Sequence, residues 1–205
     1  MTERQRGGRA ARAEARREAI LDAAMAEIAE RGYRATTLAA VAERVGLTQP
    51  GVLHYFPSKK HLLIGVLEAR DQWDTAALLA RSTDVRLSHL EQIVEFNAGR
   101  PGVVQTYTAL AAESTTGQHP AREYFTERYA AARDAFALLL HKEFGDQLPG
   151  GLTPEQAAPL LIAMLDGMQI QWLLAPDEVD MADAFRNFVS LLSAGAHVET
   201  RTDQS

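Results

Sequence analysis

Residues 37–63 read TLAAVAERVGLTQPGVLHYFPSKKHLL, and the order of signals in this stretch decides the fold. Thr37 is an N-cap residue ahead of Leu38, Val41, Ala42 and Val45, whose spacing of i, i+3, i+4 and i+7 predicts a short amphipathic helix. Gly46 breaks it, and a second short helix restarts near Thr48 or Gln49 with Pro50 in its first turn, where a missing N–H costs little. Pro57 and Ser58 then stop that helix and cap the next. A helix, a glycine-containing turn of about three residues and a second short helix form a helix-turn-helix, whose second helix reads a DNA major groove.

The side chains of the second helix suit that task. The Gln49 amide matches adenine N6 and N7 in the bidentate pairing that reads A·T, and Thr48 suits a phosphate or a base. Gly51 presents no side chain and allows close approach, while His54 and Tyr55 lie one and a half to two turns on, where backbone oxygens pass. Lys59 and Lys60 follow the Ser58 cap, and cations there oppose the helix dipole by about 0.3–1 kcal/mol. A bound phosphate would reverse that sign, so both lysines are expected to face DNA. Against this stands an exposed lysine pair whose small penalty is screened by salt.

Outward from this stretch, apolar residues recur at helical spacing and strand-like alternation is nearly absent, which predicts an all-α chain. A first helix is expected over about 10–31, stopped by Gly32, and a long fourth one from Ser58 to about residue 81. Others are expected at about 84–98, 102–115, 120–144, 154–174 and 178–194, the fourth of that series opening on the capping box Thr153-Pro154-Glu155-Gln156. Pro159 is an oddity inside it. The implied organisation is a flexible basic arm over 1–12, a three-helix DNA-binding domain over 13–62, and a helical regulatory and dimerisation domain over 63–205.

The 205 residues are 46% hydrophobic, sufficient for a sizeable core. Without cysteine there is neither a disulfide framework nor a thiolate metal site, which fits a cytoplasmic setting. The N-terminus has no secretory pattern, and no run approaches the roughly 18 consecutive apolar residues of a membrane span, the nearest being interrupted by Asp166, Gln169 and Gln171. Charge is unevenly divided: residues 1–61 hold 11 Lys+Arg against 7 Asp+Glu, the remainder 10 against 20. Arg4, Arg6 and Arg9 belong to a basic start that suits a polyanion, although basic tails are as often mere solvated chain.

Residues 160–174 are apolar nearly all round, which requires two buried faces. One is expected to cover its own domain and the other to join the last helix in a four-helix interface with a second copy, through Leu161, Leu165, Trp172, Phe185, Phe188 and Leu192. An effector pocket among the central helices would draw on Phe96, Tyr107, Glu113, Tyr124, Phe125, Met164, Met168 and Gln171, although aromatic and Met residues at such spacing are more often core. The six histidines are scattered without metal-ligand spacing, and there is neither a phosphate-cradling glycine loop nor a nucleophile elbow, so no catalytic residue, metal or cofactor is expected.

The run TTLAAVAERVGLTQPGVLHYFPSKKHLL, preceded by a helix ending ERGY, resembles the N-terminal DNA-binding domain of TetR-family transcriptional regulators over roughly residues 15–65. The resemblance implies a homodimeric repressor on a palindromic double-stranded operator, released by a small-molecule effector. It also assigns DNA contacts to Thr37, Thr48, Gln49, Pro50, Gly51, His54, Tyr55 and Lys59. Leu53 stands where the family usually has tyrosine and Gly51 where Thr or Ser is common, and both remove possible contacts. A regulator without a ligand switch or acting as an activator is the alternative, and a helical enzyme a remote one.

Overall fold

The computed structural model describes residues 3–79 and 85–194, with no side-chain description for residues 3–6, 9 and 74–79. Among the described residues there are nine α-helices and no strand: α1 (Glu3–Ala35), α2 (Leu38–Arg44), α3 (Gln49–Tyr55), α4 (Lys59–Leu79), α5 (Leu90–Ala98), α6 (Pro101–Ser114), α7 (Arg122–Phe144), α8 (Pro154–Leu174) and α9 (Met181–Ala194), with a single 3-10 turn at Leu87–His89. Helix α1 begins at Glu3, so most of the segment expected as a flexible arm forms its first turns, while the side chains of Arg4, Arg6 and Arg9 lie outside the described residues. Gly32 interrupts α1 with φ 75° and ψ 160°, and the chain resumes one helical turn to Ala35.

The chain divides into two compact units. The first joins residues 1–72 with residues 105–122, so the division falls within α4 rather than at residue 62, and the second half of α6 and the turn after it belong with the helix-turn-helix. Burial explains the longer extent: Leu62, Leu63, Val66 and Leu67 of α4 lie in the core with Ile20, Leu21 and Ala24 of α1, Val52 of α3 and Leu110 of α6. Gly65 permits the close approach of α4, because a Cβ there would lie 2.8 Å from Cε1 of Phe56 and 3.1 Å from Cδ2 of Leu21. An ion pair on the buried Glu27 ties α1 to α2, with Arg44 Nε 2.6 Å from Glu27 Oε1 and a second guanidinium nitrogen bonded to the exposed Glu30. These two carboxylates, Glu30 first, hold the guanidinium above its ordinary pKa.

The second unit contains residues 73–104 and 123–205. Its core gathers Leu87, Leu90, Val94, Leu139, Leu140, Leu148, Ala158, Leu161, Met168, Met181 and Phe185. Helix α9 packs on α5 and α8, and Arg186 reaches Glu91 at 2.6 Å. Thr153 and Gln156 form the expected capping box at the start of α8, which continues through the exposed Pro159. By length and composition α8 is apolar enough to cross a membrane despite the Asp166 that interrupts its apolar run. The Tyr129 hydroxyl of α7 donates to that Asp166 at 2.7 Å.

Leu161 and Phe185 correct the expected interface: each is 1% exposed and belongs to the core of its own unit. Leu165, Trp172, Phe188 and Leu192 are half-buried against that core. On these two helices the large apolar side chains that face outward are Leu160, Ile170 and Leu174 of α8 and Leu191 of α9, the last two 81% and 74% exposed.

Candidate nucleic-acid interface

The helix-turn-helix is held by local hydrogen bonds. At the end of α2, Gly46 adopts φ 64°, its N–H donates to the Glu43 carbonyl at 3.2 Å and that of Leu47 to the Ala42 carbonyl at 2.8 Å. This is a Schellman ending, and the left-handed conformation explains the glycine. Thr37 Oγ1 accepts from the Ala40 N–H at 3.1 Å and Thr48 Oγ1 from the Gly51 N–H at 3.3 Å. A capping hydroxyl used as an acceptor keeps its own hydrogen to donate, so both threonines can cap a helix and still bond a phosphate.

Helix α3 has one inner side and one outer side. Val52 and the following Phe56 are buried, while Thr48, Gln49, Pro50 and His54 are exposed and Gly51, Leu53 and Tyr55 half-buried. His54 stands edge-on to Tyr55 with ring centroids 5.4 Å apart. The exposed first turn therefore brings an amide, a hydroxyl and a side-chain-free stretch of backbone together at one helix end, the equipment for base and phosphate contacts.

The two lysines behave differently. Lys60 is exposed, as expected. Lys59 is half-buried, its Nζ donates to the Arg34 carbonyl at 3.1 Å and lies 4.4 Å from the centre of the Tyr33 ring, and burial lowers its pKa. Its charge thus meets a backbone carbonyl of the turn that ends α1, which offsets part of the dipole conflict inferred from sequence. An ammonium has three donors, and the bond to Arg34 leaves others for a phosphate.

Sequence reasoning did not single out Tyr33, Arg34 or His119, which meet here although His119 is 86 positions from Tyr33 in a different part of the chain. The His119 and Tyr33 rings are 5.4 Å apart at 67°. Burial, reinforced by the positive charge of Arg34, lowers the His119 pKa, while Glu113 opposes the shift; burial also raises that of Tyr33. The local signal for Tyr33 was the ERGY ending of the first helix, but nothing in the sequence linked it to residue 119.

The residues expected around an effector divide between the two units. Tyr107 and Glu113 lie in the first unit, Tyr107 beneath the Arg70 guanidinium at 3.7 Å and Glu113 3.5 Å from His119. Phe96, Tyr124, Phe125, Met164, Met168 and Gln171 lie in the second. There Phe96 faces Arg100 at 4.9 Å, Tyr124 and Phe125 pack edge-to-face at 5.3 Å, and Met164 and Met168 join the core. Gln171 is exposed and its amide donates to the Gly167 carbonyl at 3.4 Å.

Comparison with known proteins agrees with this geometry. Residues 20–66 match the family model described as bacterial regulatory proteins of the tetR family, and residues 86–194 match the C-terminal model of BetI-type transcriptional repressors. The HTH-type transcriptional regulator BetI of Paraburkholderia phymatum is 31% identical over 193 residues, covering 88% of this chain and 94% of that protein. TtgR of Pseudomonas putida is 28% identical over 181 residues, covering 80% and 83%. Among solved structures, a transcriptional regulator from Saccharomonospora viridis in complex with choline superposes with a TM-score of 0.70 at 23% identity, covering 87% of this chain and 96% of that one. SmeT, the repressor of a multidrug efflux pump of Stenotrophomonas maltophilia, superposes with a TM-score of 0.66 at 23% identity, covering 87% and 88%. With a helix-turn-helix whose reading turn is exposed and both halves matched, the chain belongs to the TetR family of transcriptional regulators, DNA-binding proteins rather than enzymes.

Proposed function

We propose that this chain is a homodimeric repressor that acts in the cytoplasm, holds a palindromic operator and releases it when a small molecule binds. The observation that carries the reading is the first turn of α3: Thr48, Gln49 and Pro50 are exposed while Val52 beneath them is fully buried, so the reading face is rigidly backed. In this reading Gln49 specifies a base, and Thr37, Thr48, His54, Tyr55, Lys59 and Lys60 meet the backbone, with Pro50 and Gly51 at close approach. Arg4, Arg6 and Arg9 add charge toward the same polyanion.

Two copies join through the last two helices. Support comes from the outward leucines and isoleucine of α8 and α9, which a single copy leaves in water. Such a dimer places two reading helices about 34–36 Å apart, or a multiple, which demands a symmetric site. The effector occupies the second unit near Tyr124 and Phe125 of α7, and two structural neighbours were crystallised with small molecules, choline and triclosan. Those two ligands differ so much that neither is carried to this chain.

Selection of operator DNA from a random-fragment pool, followed by titration of the complex with a metabolite panel, tests the reading. A palindrome whose complex dissolves with one compound class supports it. A non-symmetric site excludes the dimer arrangement, and a complex that no compound dissolves favours a regulator without a ligand switch.

A further inference from the structure

We propose that His119 is a positioning residue for the DNA contact of Lys59, acting through the ring of Tyr33. The inference rests on the proposed role of Lys59 as a phosphate ligand. Lysine carries large rotamer freedom, and a side chain that must be ordered on binding weakens the complex. Lys59 is ordered beforehand, by the Arg34 carbonyl at 3.1 Å and the Tyr33 ring at 4.4 Å. The ring holds the ammonium only while the ring itself is held.

What holds it on one side is His119, in the turn between α6 and α7, edge-on at 5.4 Å. The imidazole is fixed by its own segment. Its Nδ1 accepts from the Ala121 N–H at 3.3 Å and is 2.9 Å from Ser114 Oγ, its Nε2 is 3.5 Å from Glu113 Oε2, and its side chain is 6% exposed. Nε2 faces the Glu113 carboxylate without a hydrogen bond to it. Thr115 and Thr116 hydroxyls donate to the Ala112 and Glu113 carbonyls at 2.8 and 2.7 Å, which secures the end of α6 from which His119 is tied. The ring therefore moves with the α6–α7 turn, while its edge bears on α1. A buried histidine against an aromatic is ordinarily packing. Here the same aromatic carries the ammonium of a DNA ligand, so the packing has a second consequence: displacement of the turn disorders Lys59.

Operator affinity and its salt dependence, measured for the full-length protein with His119→Ala, Lys59→Met and the double variant, test this. His119→Ala is expected to weaken operator binding by about 2- to 10-fold, the ordering of one long side chain. Lys59→Met is expected to weaken binding and flatten the log–log salt slope by about 0.9. In the Lys59→Met background His119→Ala should have no further effect on affinity. His119→Phe keeps an aromatic edge on Tyr33 and should bind as the parent does. An undiminished His119→Ala effect in the Lys59→Met background overturns the proposal but leaves Lys59 as a DNA ligand, as does a His119→Phe loss equal to that of His119→Ala. Lys59→Met without effect on affinity or slope removes both. Should His119→Ala fail to fold, Tyr33→Leu breaks the same link from the other side and enters the same cycle.

Discussion

Gly65→Ala is the substitution whose cost follows most directly from distance. Alanine is the better helix former by about 1 kcal/mol, so in an open helix the change stabilises. At this position the new methyl would lie 2.8 Å from Cε1 of Phe56 and 3.1 Å from Cδ2 of Leu21, against an ordinary contact of about 3.5–4.0 Å. Phe56 and Leu21 are 3% and 2% exposed, so neither has free space into which to move. Overpacking of a closed core costs about 1–3 kcal/mol, and the upper part of that range applies because two enclosed side chains must shift together. After the propensity gain, a net loss of about 1–2 kcal/mol remains, or about 2–8 °C in Tm for a chain of this size. Thermal unfolding followed by circular dichroism, with a urea titration alongside, measures it. Phe56 directly follows α3, so operator affinity should fall as well. Gly167→Ala is the internal contrast, since nothing lies within 4 Å of its Cβ position and the sign should be opposite. A Gly65→Ala protein as stable as the parent would refute the steric reasoning.

Gln49→Ala should cost about 1–3 kcal/mol on the selected operator and loosen base preference, whereas Lys60→Ala should weaken all sequences alike and lower the salt slope; equal losses on random DNA for both would contradict the division between base and phosphate contacts. Leu174→Asp with Leu191→Asp should give a folded monomer by sedimentation, because both side chains are outward, while Leu161→Ala should lose about 2–5 kcal/mol of stability by opening the core; a dimer that survives the first pair would move the interface elsewhere. His119 should make stability depend on pH in a definite direction. Burial lowers its pKa from 6.5, so between the lowered value and 6.5 the unfolded chain binds a proton that the native one does not, and stability falls as pH drops through that window. Denaturation midpoints between pH 5 and 8 should show the fall in the parent and less of it in His119→Phe.

The sequence by itself determined the helix-turn-helix and the helical class. Thr37, Gly46, Pro50 and the Pro57-Ser58 pair act on backbone within a few residues of themselves, and caps, left-handed glycines and prolines keep their meaning whatever the rest of the chain does. Helix α8 was legible for the same reason, since its capping box is local. Tertiary structure alone decided which face of α8 is inner: both faces are apolar, so periodicity did not distinguish Leu161, which enters the core, from Leu160, which stays outside. It also decided the partner of Lys59, because the carbonyl end of α1 reaches it only when α1 and α4 pack together. The meeting of Tyr33 with His119 and the tight seat of Phe56 against Gly65 are of the same kind, contacts between distant or differently oriented segments whose energy depends on where the backbones come to lie.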